Sequence, residues 1–122
     1  MIAGGFCNDI QTREKIVRAW RDHRYLIDTH TAVAYHVLDD YRRETGDTTP
    51  SVVVSTASPF KFPRDVLTAL GETAPASDFA AMAALTAKTG AEAPASLSEL
   101  DKLEVRFKTV LQPADIRTAS LR

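Results

Sequence analysis

Residues 24–56 read RYLIDTHTAVAYHVLDDYRRETGDTTPSVVVST, a short apolar run, a helical period and a second apolar run. Tyr25-Leu26-Ile27 has the composition of a short buried strand. Asp28 follows it as an N-cap, because its carboxylate accepts from backbone N–H groups that a first helical turn leaves unpaired. Thr29 to Thr45 then carries Ala34, Leu38 and Tyr41 at helical spacing, with Val33 and Val37 alongside. Asp39, Asp40, Arg42, Arg43 and Glu44 form a solvated face. Gly46 suits the left-handed position that closes a helix, and Asp47 to Pro50 is turn chemistry. Ser51-Val52-Val53-Val54-Ser55 is β-branched and does not alternate, the pattern of a strand buried on both faces. Strand, helix and strand in this order predict a βαβ unit with parallel strands at about 24–27 and 51–56 and a right-handed crossover. The expected class is therefore α/β, mostly helical. Ligands of such units lie beyond the carboxyl ends of the strands. Those ends are Asp28-Thr29-His30-Thr31 and Ser55-Thr56-Ala57-Ser58.

Working outward, residues 1–8 are small, with Gly4 and Gly5 adjacent. Asp9 is an N-cap for a helix from Ile10 to His23, where Ile16, Trp20 and His23 share a face with Val17 beside them. On the other side, Pro63 opens a helix that runs to Leu70 and stops at Gly71. The stretch from Thr73 to Ser96 is rich in Ala, Thr and Pro. Within it Asp78 caps a helix from Phe79 to Lys88, with Met82 and Leu85 inward and Gly90 as the stop. Ser96 and Glu99 stand at capping-box spacing, which predicts a short helix from Leu97 to Leu103. Val105, Phe107 and Val110 fit a strand or an extended packing segment equally well. Pro113 begins a last helix, Ala114 to Leu121. Residues 1–122 make one domain, divided into 1–71, a 72–95 Ala/Thr/Pro-rich segment and the C-terminal helices of 96–122.

Composition excludes several classes. The chain has 122 residues, 44% hydrophobic and 25% charged, which is ordinary for a globular domain. With 15 basic and 16 acidic side chains the net charge is −1, so no whole-domain field draws nucleic acid or an anionic membrane. Arg13, Lys15, Arg18, Arg21 and Arg24 surround Trp20, but Glu14 and Asp22 interrupt them, and the run reads as a solvated helix face. Cys7 is the single cysteine. It forms no internal disulfide, and no set of His, Cys and carboxylates has metal-ligand spacing. There is no stretch of about 18 apolar residues and no secretory signal in MIAGGFCNDI. A soluble, cytoplasmic protein without nucleic-acid, membrane or metal partners is expected.

The two clusters carry a resemblance. Asp28-Thr29-His30-Thr31-Ala32-Val33 is similar to the D-P-H-T-A-V turn of threonine synthases. Ser55-Thr56-Ala57-Ser58-Pro59-Phe60-Lys61-Phe62 is similar to their S-T-A-[HS]-P-x-K-F segment, which follows a valine-rich strand. Asp9 with Thr12-Arg13-Glu14 also fits the family's entry into this region. The likeness spans residues 4–71 well and 94–121 loosely. Thr29 replaces a frequent proline. Ser58 replaces a frequent histidine, which leaves any proton-transfer role of that histidine unfilled.

The resemblance implies the C-terminal part of a fold type II pyridoxal phosphate enzyme, which converts O-phosphohomoserine and water to threonine and phosphate. On it, Thr56 contacts the cofactor's pyridine nitrogen, Ser55 lines the same wall, and His30 and Lys61 are substrate-site candidates. The Schiff-base lysine and the glycine-rich phosphate cradle are expected in an N-terminal part that this sequence lacks. The 122-residue chain then holds no catalytic residue of its own, binds pyridoxal 5′-phosphate weakly or not at all, is inactive alone, and self-associates through exposed apolar surface. Two other readings compete: a stand-alone helical interaction or regulatory domain without cofactor, and a fragment of a different fold type II enzyme.

Overall fold

A computed structural model describes residues 2 and 4–120. Its regular elements are helices: α1 (Asp9–His23), α2 (Thr29–Thr45), α3 (Pro63–Ala69), α4 (Asp78–Thr89), α5 (Ala95–Ser98) and α6 (Ile116–Ser120), with 3₁₀ turns at Pro59–Lys61, Leu100–Lys102 and Pro113–Asp115. Helix α1 packs on α2 and on α3, and α3 packs on α4. Ile16 and Ala19 of α1, Ala32 of α2, Val66 and Leu67 of α3, and Ala81, Met82 and Leu85 of α4 form the core. Ile27 and Phe60 plug it from the connecting segments.

The α/β expectation is overturned. Among the described residues there is no strand and therefore no βαβ unit. Tyr25 to Ile27 and Ser51 to Ser55 run without regular secondary structure, and neither enters a hydrogen-bonded ladder. The physical reason lies in burial. A strand preference expresses packing against same-face and cross-strand neighbours. Val52 is 89% exposed and Val54 69% exposed, so the valine run lacks the two-sided cover that would make it a central strand. Its inner side meets side chains of the helical body across a hollow of about 300 Å³, with Ile27, Tyr35 and Val53 on its walls.

The caps locate most of the helix ends. Asp28 caps α2 as expected, accepting from the N–H groups of His30 and Thr31, and Gly46 closes that helix at φ 70°. In α1 the cap is Asn8 rather than Asp9. Asn8 Oδ1 accepts from Gln11 N at 2.9 Å, and Gln11 Oε1 accepts from Asn8 N at 2.9 Å, a reciprocal capping box. Arg24 ends α1 in the left-handed region at φ 53°, where its N–H reaches the Ala19 and Trp20 carbonyls and its guanidinium stacks over the Trp20 ring. Helix α4 starts on Ser77, one residue before the expected Asp78, and buries Met82 and Leu85 as expected. The helix predicted from Leu97 to Leu103 is instead α5 followed by a 3₁₀ turn. Ser96 makes no cap, and Pro94 opens the element. The last helix begins as a 3₁₀ turn at Pro113 and continues to Ser120; Leu121 lies outside the described residues.

The buried faces also differ from the expected stripes. Helix α1 buries Lys15, Ile16 and Ala19, while His23 is exposed. Helix α2 buries Thr31 and Ala32, with Tyr35 packed against the core, whereas Ala34 and Tyr41 are exposed. Lys15 is not part of a solvated face. It is 6% exposed, paired with Asp39 of α2, and lies 4.4 Å from the Tyr35 ring. This pair joins α1 to α2 at their interface. The N-terminal segment lies along α2, where a Cβ at Gly5 would stand 2.8 Å from Val37 Cγ1. Residues 98–118 are exposed throughout, and Val105, Phe107 and Val110 form no strand.

Candidate functional site

The sequence places two polar clusters at the ends of the apolar runs, and the fold joins them although the runs form no sheet. Asp28 is fully buried. One carboxylate oxygen accepts from His30 N at 2.8 Å and from Thr31 N at 3.3 Å; the other pairs with the Thr31 hydroxyl. Thr31 Oγ1 in turn lies 3.0 Å from Ser55 Oγ. A buried carboxylate at a helix start is thereby connected through one hydroxyl to the segment that carries Ser55 and Thr56. Burial of the carboxylate is tolerated because it accepts at both oxygens and sits at the positive end of the α2 dipole.

Thr56 is exposed, and its hydroxyl has no hydrogen-bond partner among the described residues. Ala57 is half-buried, and Ser58 turns the chain by accepting from Phe60 N at 3.2 Å. That turn buries Phe60 to 3% exposure and anchors the end of the segment in the core.

His30 and Lys61 lie on either side of Phe62. The His30 and Phe62 ring centroids are 5.1 Å apart, and Lys61 Nζ is 5.5 Å from the Phe62 centroid. His30 Nδ1 is 3.4 Å from Asp28 Oδ1 and 3.4 Å from Thr29 Oγ1. His30 opens onto a hollow of about 400 Å³ with Thr12, Arg13, Thr29 and Asp65 on its walls. Lys61 borders a different hollow, beside Arg64, Thr68 and Asp78. The fold therefore unites Asp28, Thr31 and Ser55 by hydrogen bonds, keeps Thr56 free beside them, and links His30 to Lys61 only through Phe62.

Thr31 as the hub and Phe62 as the bridge were not legible in the sequence. The one available signal for Thr31 was its place three residues after the Asp28 cap, the position from which a polar side chain reaches back toward the cap. Among the described residues no group of His, Cys, Asp and Glu is arranged to hold a metal ion, and no helix is long and apolar enough to cross a membrane.

The family model for the C-terminal region of threonine synthase matches residues 31–119. The chain belongs to the threonine synthase C-terminal family. The match holds Thr31, Ser55, Thr56 and Lys61, includes the 72–93 stretch, and begins after Asp28 and His30. No curated protein matches the chain.

Proposed function

We propose that this chain contributes one wall of the pyridoxal 5′-phosphate site of a threonine synthase, which releases phosphate from O-phosphohomoserine and adds water to give threonine. The observation that carries the reading is an exposed, unbonded Thr56 hydroxyl beside the Asp28–Thr31–Ser55 chain, on a segment inside the family match. The ring end of the cofactor fits these residues: a hydroxyl is a neutral partner that meets a pyridine nitrogen without holding a full proton on it, as a carboxylate would. The phosphate end does not find its cradle here. Gly46, Gly71 and Gly90 all have positive φ and follow the ends of helices, so none of them opens a helix toward an anion. The cofactor, when bound, supplies the electron sink for the chemistry. This chain's part is to orient its ring through Thr56 and Ser55, with His30 and Lys61 toward the substrate.

The Schiff-base lysine belongs to the N-terminal part of the enzyme in this reading. The chain alone therefore forms no lysine-linked chromophore with pyridoxal 5′-phosphate and releases no phosphate from O-phosphohomoserine. Combined with a lysine-bearing N-terminal part of a threonine synthase, it restores phosphate release. Thr56→Val then lowers kcat/KM by about tenfold, the worth of one neutral hydrogen bond, while Thr56→Ser retains most of it. A stable Schiff base on Lys61 refutes this assignment of roles. Activity equal for Thr56→Val and the unchanged chain removes Thr56 from the site.

A further inference from the structure

We infer that Thr31 is a positioning residue that holds the Ser55–Thr56 segment and sets the hydrogen-bond polarity of Ser55, so that Ser55 meets its ligand as an acceptor. The inference deepens the reading of Ser55 as part of the site wall, but its geometry stands on the chain alone.

The argument counts protons. Oδ1 of Asp28 is occupied by the N–H groups of His30 and Thr31. Oδ2 pairs with the hydroxyl of Thr31, a side chain only 6% exposed. A carboxylate accepts and does not donate, and the α2 dipole favours its negative charge. The single hydroxyl proton of Thr31 is therefore committed to Asp28. Ser55 Oγ lies 3.0 Å from Thr31 Oγ1, and with no proton left on Thr31 for this contact, Ser55 is the donor. Its own proton points inward, and the lone pairs of this exposed side chain face outward. The group that binds against Ser55 is then a donor, such as a protonated nitrogen or a hydroxyl. A phosphate or carboxylate oxygen meets lone pairs there and is disfavoured.

The same contact has a mechanical role. Among the described residues, no backbone hydrogen bond involves residues 52–57, and the Thr31–Ser55 contact is the side-chain hydrogen bond that ties this stretch to the helical body. Arg42 holds the stretch from upstream, through the Thr49 carbonyl and the Ser51 hydroxyl. Phe60 holds it from downstream.

Nuclear magnetic resonance on the full 122-residue chain tests both parts. Thr31→Val removes the hydroxyl and keeps the shape. Amide order parameters of residues 53–56 then fall from about 0.85 toward about 0.6 while the α2 resonances stay in place, and Thr31→Ser restores them. Asp28→Asn keeps the cap, since asparagine caps as well as aspartate. Its amide nitrogen takes the Oδ2 position and donates to Thr31, whose proton turns to Ser55, and the Ser55 proton turns to solvent. In an equal mixture of light and heavy water, Ser55 Cβ gives two resolved lines in the unchanged chain, because its proton exchanges slowly, and one averaged line in Asp28→Asn. A single line in the unchanged chain overturns the polarity. Residues 53–56 as ordered in Thr31→Val as in the unchanged chain, or no recovery in Thr31→Ser, overturn the positioning role. None of these readouts needs the cofactor, so they fail or succeed separately from the pyridoxal phosphate reading.

Discussion

Asp28 has two physical roles, and each substitution separates them. It caps α2 and it satisfies the buried hydroxyl of Thr31. Asp28→Ala removes the cap and strands a buried donor, so it costs about 2–3 kcal/mol by denaturant unfolding, against less than about 1 kcal/mol for Asp28→Asn. Asp47 shows a surface counterpart. The Thr49 hydroxyl and amide, with the Tyr41 hydroxyl at 3.1 Å, hold its carboxyl below the usual range. A carboxyl lowered in the folded state contributes stability above its unfolded value, and that contribution is lost as pH falls through the folded one. The turn after α2 is thus tethered at neutral pH and released only in acid below the ordinary aspartate range. A carbon-detected titration of Asp47 reads this directly; a midpoint at the usual aspartate value would contradict it.

At the scale of elements, the helices are ordered by how well each buries a face. Leu67 on α3 and Leu85 on α4 are 1% and 0% exposed. Leu67→Ala and Leu85→Ala should each cost about 2–5 kcal/mol, because the cavity left behind collapses only in part. Phe107→Ala and Val110→Ala, at 87% and 90% exposure, should fall within about 0.5 kcal/mol of the unchanged chain. Equal effects at the two sets would show that residues 105–110 pack in solution. The exposed valines of 51–55 teach the same lesson from the other direction. Val52-Val53-Val54 has the composition of a central strand, but composition states only what a residue packs well against. Where no cross-strand neighbour comes, the run stays extended and unpaired.

For the whole molecule, α1 to α4 with Ile27 and Phe60 form the cooperative unit, and the exposed stretch from residue 98 onward adds little to it. Ending the chain at Leu103 should leave the denaturation midpoint within about 0.5 kcal/mol of the full chain. A larger loss would mean that the C-terminal stretch folds back on the helical unit. The family match runs through this exposed stretch to residue 119. Its apolar side chains, Val105, Phe107, Val110 and Ile116, belong to the family region without belonging to this chain's core.

Local chemistry was legible in the sequence because it acts over a few residues. The Asp28 cap, the Gly46 and Gly90 stops, the helices of 9–23, 29–45, 63–69 and 78–89, and the polar clusters at 28–31 and 55–58 all follow from side chains reaching their own backbone or from φ preferences. Which face of each helix turns inward was not legible. Lys15 reads as solvated and is buried, because Asp39 and Tyr35 arrive from another element to satisfy it. The strands were not legible either, since pairing needs a neighbour that the local sequence does not specify. Only the tertiary structure decided that Thr31 connects Asp28 to Ser55 and that Phe62 stands between His30 and Lys61. Contacts between residues far apart in sequence depend on how α2 and the 51–62 segment pack together, and no single stretch of the chain encodes that packing alone.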